Sequence, residues 1–284
     1  MINYRQLNYR QDIEEVVSLI NKNLNPSQTS KFLKWKHLNN PFGTAKGAVA
    51  TINDKIVAVG FYMPYNFMDS KNQIIKSLRA VDVCTSTAHR GQGIYKNLMK
   101  FCLNLFGEDY DILIGAPNKN SYPAAIKDGW KNLKDNNYFR LGLVSPFAKI
   151  KKLSNRNKYH NFFVTGQVEG YLKWRYSFDE YLIAESSINQ KKNYLIYRIK
   201  HQKIFKYIVL CDFIGDQNQI NNAIIQVCKK EKIYFIYYLA NKINNRINFI
   251  FTKTLKKTKI IYKENNFELN NNIVLSLADI ERKI

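Results

Sequence analysis

Residues 81–95 constrain the fold of this chain more than any other stretch. The run Val-Asp-Val-Cys-Thr at residues 81–85 is rich in β-branched side chains, which predicts a strand, and apolar residues recur at helical spacing from Ile94 onward. Gly91 and Gly93 lie between the two predicted elements. Because glycine has no Cβ, the backbone there can approach a ligand closely, and the first N–H groups of the helix have no acceptor within it. The sequence therefore predicts a seat for an anion such as a pyrophosphate.

Spacing distinguishes this loop from other glycine loops that bind phosphates. A P-loop requires Gly-x-x-x-x-Gly-Lys followed by Ser or Thr, and the dinucleotide fingerprint requires a third glycine, where this chain has Lys96. Residues 90–95, Arg-Gly-Gln-Gly-Ile-Tyr, instead resemble the acyl-CoA loop of the GNAT N-acetyltransferases, Gln/Arg-x-x-Gly-x-Gly/Ala, with Tyr95 in place of the final small residue. Residues 118–130, which run from Asn-Lys-Asn-Ser to Gly-Trp, resemble that family's fifth strand and fourth helix.

The resemblance implies an α/β (α+β) fold with a mixed, mostly antiparallel central sheet flanked by helices, and acetyl-CoA as the co-substrate. In that family the strand before the loop contacts the pantetheine through its backbone and polarises the thioester carbonyl, while the loop holds the pyrophosphate. An asparagine at the end of the fifth strand also contacts the cofactor in many members. The residues that the resemblance assigns to acetyl-CoA are Val83, Cys84, Thr85, Arg90, Gly91, Gln92, Gly93, Ile94, Tyr95, Asn118 and Ser121.

Acyl transfer to an amine also needs proton transfer, and here the sequence departs from the family. Many members carry a tyrosine four residues before the Gly-Phe/Trp pair to protonate the leaving thiolate, and this chain has Ala125 there. Tyr122 and Tyr95 are the alternatives, although each could equally be a packing residue, and Tyr122 is the candidate acid. Because an ordinary thiol has a pKa of about 8.5, CoA could also leave without a dedicated acid.

Asp82 is the candidate general base. An acidic residue inside an otherwise apolar strand beside the cofactor requires a reason, and catalysis is one such reason. The alternative is a structural carboxylate that pairs with Arg79 or with a lysine. His37 and His89 are weaker candidates, because His37 lies at a helix end and His89 directly precedes the loop.

The second half of the chain repeats part of the first. Residues 171–176, Tyr-Leu-Lys-Trp-Arg-Tyr, echo residues 32–37, Phe-Leu-Lys-Trp-Lys-His, at an offset of 139 positions, and similar strand and helix patterns follow both. A chain of 284 residues can form about two domains. We expect a GNAT domain at residues 1–145 and a second, degenerate GNAT-like copy at residues 146–284; an unrelated α+β domain is the alternative.

Two segments of the second half have specific expectations. Residues 145–161 are basic with few apolar anchors, which predicts a linker. Residues 215–219, Gly-Asp-Gln-Asn-Gln, occupy the place of the glycine loop in the second copy but contain one glycine and an acidic residue. Because a carboxylate repels a pyrophosphate, we expect the second copy not to bind CoA.

Hydrophobic periodicity and turn residues predict the order of the remaining elements. The predicted strands are residues 2–7, 48–52, 56–67, 74–85, 110–116, 139–144, 181–186, 194–199, 205–214 and 233–239, and the predicted helices are residues 12–24, 26–38, 94–106, 121–128 and 219–229.

Trp35, Lys36 and the echoing Trp174 are the candidate acceptor residues. Aromatic and cationic walls suit a sugar ring or base and its phosphates. Together with the Asn-Pro-Phe-Gly that follows and the Asp-x-x-Thr before the loop, this pattern resembles GNAT members associated with bacterial surface-polysaccharide synthesis. The resemblance implies an amino sugar, in nucleotide-activated form, as the acceptor. Core packing of the tryptophans, a protein or peptide acceptor, and a non-catalytic module that binds nucleic acid or a membrane surface are the alternatives.

Charge and composition limit the other partners. The net charge is +22, with +14 in residues 146–284, but the cations are mostly dispersed, so nucleic acid is not the expected partner. No apolar run approaches the roughly 18 residues of a membrane span, and no signal-peptide core follows Met1, which predicts a cytoplasmic protein. The four cysteines lie in apolar patterns and are too far apart for zinc pairs, so we expect reduced core thiols and no metal.

Overall fold

The computed structural model describes residues 1–24, 27–69, 71–133, 137–150, 164–165, 170–178, 181–188, 191–202, 205–240, 247–269 and 273–280. The strands are β1 (Asn3–Gln6), β2 (Lys46–Ile52), β3 (Lys55–Pro64), β4 (Phe67–Met68), β5 (Ile74–Ile75), β6 (Ser77–Thr85), β7 (Ile112–Gly115), β8 (Lys131–Asn132), β9 (Tyr138–Leu143), β10 (Val164–Thr165), β11 (Leu182–Ile188), β12 (Lys191–Gln202), β13 (Phe205–Ile214), β14 (Phe235–Ala240), β15 (Phe251–Lys257) and β16 (Ile261–Glu264). The helices are α1 (Ile13–Asn23), α2 (Ser30–Leu38), α3 (Ile94–Asn104), α4 (Tyr122–Lys127), α5 (Tyr171–Arg175), α6 (Ile220–Glu231) and α7 (Leu277–Ile280).

Two large sheets share one internal order. The first is β1-β2-β3-β6-β7-β16-β8, and the second is β11-β12-β13-β14-β9-β15. Among the described strands, each sheet contains a single parallel pair, β6 with β7 or β13 with β14, between antiparallel strands on both sides. A small sheet, β10-β4-β5, lies apart from them. The mixed, mostly antiparallel architecture and the second copy are therefore confirmed.

The two sheets exchange a strand. β9, which belongs to the first half of the chain, pairs with β14 and β15 in the second sheet. β16, which belongs to the second half, pairs with β7 and β8 in the first sheet. The division of the chain at residue 145 stays a prediction, and the exchange is a feature that it did not include.

Apolar periodicity places the helices on the sheets. α1 packs against β3 and β6 on one face of the first sheet, and α3 packs against β2 and β3 on the opposite face. α6 covers the second sheet as α3 covers the first. One buried cluster joins the two sheets, since it contains Val59 and Phe61 of β3 together with Val209 and Cys211 of β13.

Trp35 of α2 and Trp174 of α5 lie against each other where the two copies meet. Their ring centroids are 5.2 Å apart with an interplanar angle of 22°. Each indole Nε1 donates a hydrogen bond to the backbone carbonyl oxygen of the other residue, at 3.1 Å in both directions. This reciprocity between residues 139 positions apart is what an approximate two-fold repeat requires. The two rings contact each other, and their role as walls of an acceptor site stays a prediction.

The predicted elements are largely confirmed, with different bounds. β2 and β3 are joined by Asn53 and Asp54, whose φ angles of +48° and +62° suit a tight hairpin turn. α2 begins at Ser30 and not after Pro26, because the Thr29 side chain accepts a hydrogen bond from the Phe32 N–H at 3.1 Å. α1 begins at Ile13, one residue after the predicted start, and the Asp12 carboxylate accepts a hydrogen bond from Arg5 and none from the helix.

Several short elements were not predicted, and part of one prediction is untested. The sequence reasoning missed β8, β10, β15, β16 and α7, while the predicted strands at 56–67 and 74–85 are each interrupted. Residues 151–161 of the predicted linker lie outside the described residues.

All four cysteines are buried and free, as expected. In the part of the chain that the structure describes, no helix has the length and apolar character needed to span a bilayer.

Candidate active site

The predicted glycine loop is observed between β6 and α3. Gly91 and Gly93 have φ angles of +80° and +73°, in the left-handed region that favours glycine, and Gly93 directly precedes α3. A Cβ added to either glycine would meet no atom within 4 Å. The loop therefore combines open space with the N-terminal N–H groups of an eleven-residue helix, which is the arrangement that binds an anion.

The end of α1 holds this loop in place. The Asn23 side-chain oxygen accepts a hydrogen bond from the Thr87 N–H at 3.0 Å. Arg90 donates from Nε to the Thr85 carbonyl oxygen at 3.2 Å, and it donates from a terminal nitrogen to the Asn23 carbonyl oxygen at 3.5 Å. The Arg90 guanidinium thus connects the loop to the end of β6 and to the end of α1.

β6 extends beyond its pairing with β7, and we call the space beside the unpaired end of β6 the slot. Their described pairing ends at Arg79 and Ile114, although β6 continues to Thr85. The register between β3 and β6 shifts beside Asp82, which has a φ of +50°, so β6 is bulged at this point. An extended chain such as pantetheine could lie in this slot, within reach of backbone N–H groups that could polarise a thioester carbonyl.

Asp82 is fully buried and ion-paired. Its Oδ2 lies 2.6 Å from the Lys36 Nζ and 3.0 Å from the His37 Nε2. Lys36 and His37 are themselves buried, and the imidazole stacks on Phe61 with centroids 4.1 Å apart. The alternative role of a carboxylate paired with a lysine is therefore observed, and Lys36 is the lysine. A catalytic role for Asp82 stays a prediction, as does the acceptor role of Lys36.

The Asn118 side chain forms a turn directly before α4. Its Oδ1 accepts hydrogen bonds from the N–H groups of Asn120 at 2.9 Å and Ser121 at 3.0 Å. This local turn fixes the chain as it leaves β7, on the far side of the slot. Cofactor contacts of Asn118 and Ser121 stay predictions.

The two candidate tyrosines have different surroundings. The Tyr122 hydroxyl donates to the Asn132 Oδ1 at 3.0 Å, and the Lys259 Nζ lies 3.5 Å from the Tyr122 ring centroid. Burial raises the pKa of Tyr95, with a smaller contribution from Asp128. Both side chains are half-buried, Tyr95 in the first turn of α3 and Tyr122 at the start of α4. The assignment of either tyrosine as the acid stays a prediction.

In the second copy, side chains of this protein fill the space beside the equivalent loop at residues 215–219. The Asn193 Oδ1 accepts a hydrogen bond from the Asp216 N–H at 2.8 Å, and the Asp216 carboxylate accepts one from the Asn218 N–H at 3.0 Å. A Cβ added to Gly215 would lie 2.3 Å from the Asn193 Oδ1. These contacts favour the expectation that the second copy does not bind CoA.

The second copy nevertheless has an aspartate in a similar place, the half-buried Asp212 of β13. Arg175, the last residue of α5, and Tyr176, which follows it, stand 139 positions after Lys36 and His37. The Tyr176 hydroxyl donates to the Asp212 Oδ2 at 3.0 Å. Burial and the nearby Asp279 carboxylate raise the pKa of Asp212 to about 7, although the Tyr176 bond and the Arg175 charge act in the opposite direction. Asp212 thus favours its neutral form more than an exposed aspartate does.

This shift predicts a pH dependence of stability. The pKa of Asp212 is higher in the folded protein than in the unfolded chain. Its contribution to the free energy of unfolding is therefore fully present below pH about 4 and is lost as the pH rises through about 7. We expect Asp212→Asn to reduce the fall in the free energy of unfolding between these two values, measured by urea denaturation. Asp111→Asn, at a half-buried position of the first copy, is the control. If the free energy of unfolding depends on pH in the same way in wild type and in Asp212→Asn, the assignment is contradicted.

A recess that the sequence did not predict lies beside the slot. It has about 250 Å³ of empty space, including its open mouth. Its lining residues are Tyr65, Phe67, Arg79, Ile114, Gly115, Ala116, Ile260, Leu275 and Asp279. Asp279 offered the one sequence signal, an acidic residue among apolar neighbours near the end of the chain. The distance of 200 residues between Arg79 and Asp279 hid their proximity.

Comparison with known proteins identifies the fold. No family model matches the chain, and no curated protein matches it in sequence. A GCN5-related N-acetyltransferase from Anabaena variabilis matches with a TM-score of 0.69 and 12% sequence identity, covering 94% of this chain and 73% of that one. A probable N-acyltransferase of unknown function from Enterococcus faecalis matches with a TM-score of 0.66 and 11% identity, with the same coverage.

A third solved structure extends the likeness. Eis1 from Mycobacterium abscessus matches with a TM-score of 0.59 and 10% identity, covering 92% of this chain and 73% of that one. At these identities the likeness concerns the fold. The chain therefore has the fold of the GCN5-related N-acetyltransferases, as its glycine loop and the segment at residues 118–130 predicted.

Proposed function

We propose that this protein is an N-acetyltransferase that moves an acetyl group from acetyl-CoA to a primary amine. The observation that carries the proposal is the open glycine loop at the start of α3 next to the slot between β6 and β7. The loop suits the pyrophosphate of CoA, and the slot suits its pantetheine arm. The closed loop at Gly215 argues for one donor site, in the first copy.

The reaction follows from this geometry. The nitrogen of the neutral amine attacks the thioester carbonyl carbon and forms the C–N bond, while the carbonyl electron pair moves to oxygen. Backbone N–H groups of residues 83–85 would stabilise that oxygen as its charge develops. The C–S bond then breaks, CoA leaves as the thiolate, and the nitrogen loses one proton. Holding both reactants in the slot supplies much of the rate enhancement, because it replaces a bimolecular encounter.

Asp82 and Tyr122 are the proposed proton acceptor and donor in this reaction. The support for Asp82 is its place on the bulge of β6, beside the residues that would contact the thioester. Its ion pair with Lys36 favours a structural role at the same time. The support for Tyr122 is its place at the start of α4, on the other side of the slot.

An amino sugar as the acceptor, with a role in surface-polysaccharide synthesis, is a finer proposal with less support. Its argument depended on Trp35 and Trp174 as stacking walls, and these rings pack on each other. Transfer to a peptide amine and a non-catalytic basic module are the competing functions.

Acetyl-CoA binding and thiol release test the proposed function together. We expect acetyl-CoA at about 100 times its Kd to stabilise the protein by about 2.7 kcal/mol, measured as a rise in the melting temperature. We also expect free CoA thiol to appear only when an amine from a panel of amino sugars, alkylamines and peptides is added. An unchanged melting temperature, together with salt-sensitive binding to heparin or DNA, would favour the basic module instead.

A further inference from the structure

One end of the second sheet carries a group of large apolar side chains that are exposed. β13, β14 and β15 begin at this end and β9 ends there, since β9 runs antiparallel to β14 and β15, and β13 runs parallel to β14. Phe205, Phe235 and Phe251, the first residues of β13, β14 and β15, are 37%, 38% and 61% exposed. Together with Phe147 and Ile250, they form what we call the end patch.

The end patch continues across four strands. Phe235 and Phe251 lie directly opposite Leu143 of β9, one on each side of it. Residues that lie directly opposite each other in neighbouring strands point to the same face of a sheet. The ring centroids of Phe205 and Phe235 are 5.7 Å apart. The row therefore spans three strand spacings of about 4.8 Å each, or roughly 14 Å.

Two residues outside the strands extend this row. Ile250, which directly precedes Phe251, is 63% exposed, and its N–H donates to the Leu143 carbonyl oxygen at 2.9 Å. Phe147 is 89% exposed and lies in a turn that follows β9, where the Ala148 N–H donates to the Ser145 carbonyl oxygen at 3.1 Å. The Phe147 ring buries so little area within the protein that packing does not explain it. Such a group of exposed apolar side chains is typical of an interaction surface.

Lysines lie among these apolar residues. Lys149, Lys206 and Lys253 are each one or two positions from a member of the end patch, and all three are exposed. β15 contains three lysines and no acidic residue. Glu231 lies four positions before Phe235, and its carboxylate accepts a hydrogen bond from the Tyr197 hydroxyl at 2.7 Å. The surroundings of the end patch therefore favour a partner that is both apolar and anionic.

An anionic lipid bilayer has both properties. Apolar side chains enter the boundary between headgroups and acyl chains, while lysines remain among the anionic headgroups. A second copy of this chain fits less well, because each chain has a net charge of +22 and the same lysines would meet. Single-stranded nucleic acid also attracts cations, but its bases stack on aromatic faces, and Ile250 offers none.

We propose that the end patch docks this protein on the surface of an anionic membrane, with Phe147, Ile250 and Phe251 in contact with the lipid. The inference goes beyond the proposed function and does not depend on it, because no residue of the end patch belongs to the donor site. It gives the second copy a role of its own, which is to hold the first copy at a membrane surface.

Binding of the full chain to vesicles tests the proposal without any substitution. We expect the partition coefficient to be at least about tenfold higher for phosphatidylcholine vesicles with about 30% phosphatidylserine than for phosphatidylcholine alone. The coefficient should fall when NaCl is raised from about 0.1 M to about 0.5 M, because salt screens the attraction. If the protein does not sediment with the anionic vesicles, the proposal is overturned.

Ile250→Ser tests the end patch itself. Loss of one apolar side chain from the lipid contact should lower the partition coefficient by about tenfold, and the exposed position should leave the fold intact. Ile183→Ser is the matched control, because Ile183 is 58% exposed but lies in β11, at the opposite edge of the same sheet. Its coefficient should equal that of wild type. Equal losses in the two variants would overturn the assignment to the end patch.

Phe147→Trp shows whether an end-patch side chain reaches the acyl chains. We expect lipids with brominated acyl chains to quench the added fluorescence of Phe147→Trp, while Ile183→Trp should be quenched no more than wild type. The three native tryptophans lie outside the end patch. Binding without quenching would mean attraction by charge alone and would overturn the proposed contact with lipid.

Two other results would assign the end patch to a different partner and overturn the proposal. One is binding of a single-stranded oligonucleotide that Ile250→Ser abolishes, with no binding to vesicles. The other is a dimer, detected by sedimentation, that Ile250→Ser dissociates. These measurements are made without acetyl-CoA, so failure of this inference is distinct from failure of the proposed function.

Discussion

Gly93→Asp is expected to abolish measurable binding of acetyl-CoA while the protein stays folded. The new carboxylate would stand at the start of α3, where the pyrophosphate of CoA is expected, and the two negative groups would repel each other. The fold should survive, because aspartate tolerates the left-handed backbone better than most residues and a negative charge is favourable at a helix N-terminus. Apart from Gly93 itself and its two neighbours in the chain, no atom lies within 4 Å of the position of the new Cβ.

Gly107→Asp is the matched control for this prediction. Gly107 has a φ of +64° and equally open surroundings, but it follows the other end of α3. The two substitutions therefore impose similar backbone strain and the same charge. Titration calorimetry should show no heat of binding for Gly93→Asp and an unchanged Kd for Gly107→Asp. Wild-type affinity in Gly93→Asp would remove residues 90–95 from the donor site.

Lys36→Met is expected to lower the free energy of unfolding by about 3–5 kcal/mol, the usual cost of removing one partner from a buried ion pair. The Lys36 Nζ lies 2.6 Å from the Asp82 Oδ2, and the side chains are 9% and 0% exposed. Without the ammonium group, the buried carboxylate loses its nearest cation. Lys76→Met is the control, since its ion pair with Asp109 is almost as short, 2.7 Å, but exposed, and little change is expected. If urea denaturation shows that Lys36→Met and Lys76→Met lose the same free energy of unfolding, burial of the ion pair does not explain its contribution to stability.

Asp82→Asn separates stability from catalysis at the same position. If Asp82 is the base, kcat should fall while the Kd for acetyl-CoA stays the same, and the fall should exceed that in Lys36→Met. If Asp82 only stabilises the core, both variants should lose stability and keep their kcat at a temperature where they are folded. Activity that is unchanged in Asp82→Asn from pH 6 to pH 9 would exclude the base.

The sequence was sufficient to predict the glycine loop, because two glycines between a strand pattern and a helix pattern form a short motif whose backbone conformation depends on those residues alone. The repeat was predictable for a related reason, since the Trp35 and Trp174 segments share their residue order at a fixed offset. The structure adds the physical cause, a reciprocal pair of hydrogen bonds between the two indoles and the two backbones.

Tertiary pairing was not predictable from the same patterns. The alternation in β9 identifies a strand, but nothing in it indicates that the strand pairs with β14 of the other half. β16 has four residues, and the seven residues of β15 are all exposed, so neither carries a clear apolar signal. A lysine partner for Asp82 was foreseen as an alternative, yet only the packing of α2 on β6 shows that it is Lys36.

A crystal structure with acetyl-CoA tests the central claim most directly. The account predicts that the pyrophosphate oxygens accept hydrogen bonds from N–H groups of residues 91–95, with the pantetheine arm between β6 and β7 and the acetyl group beside Arg79 and Gly115. Acetyl-CoA bound at residues 215–219 of the second copy, or away from both loops, would contradict it.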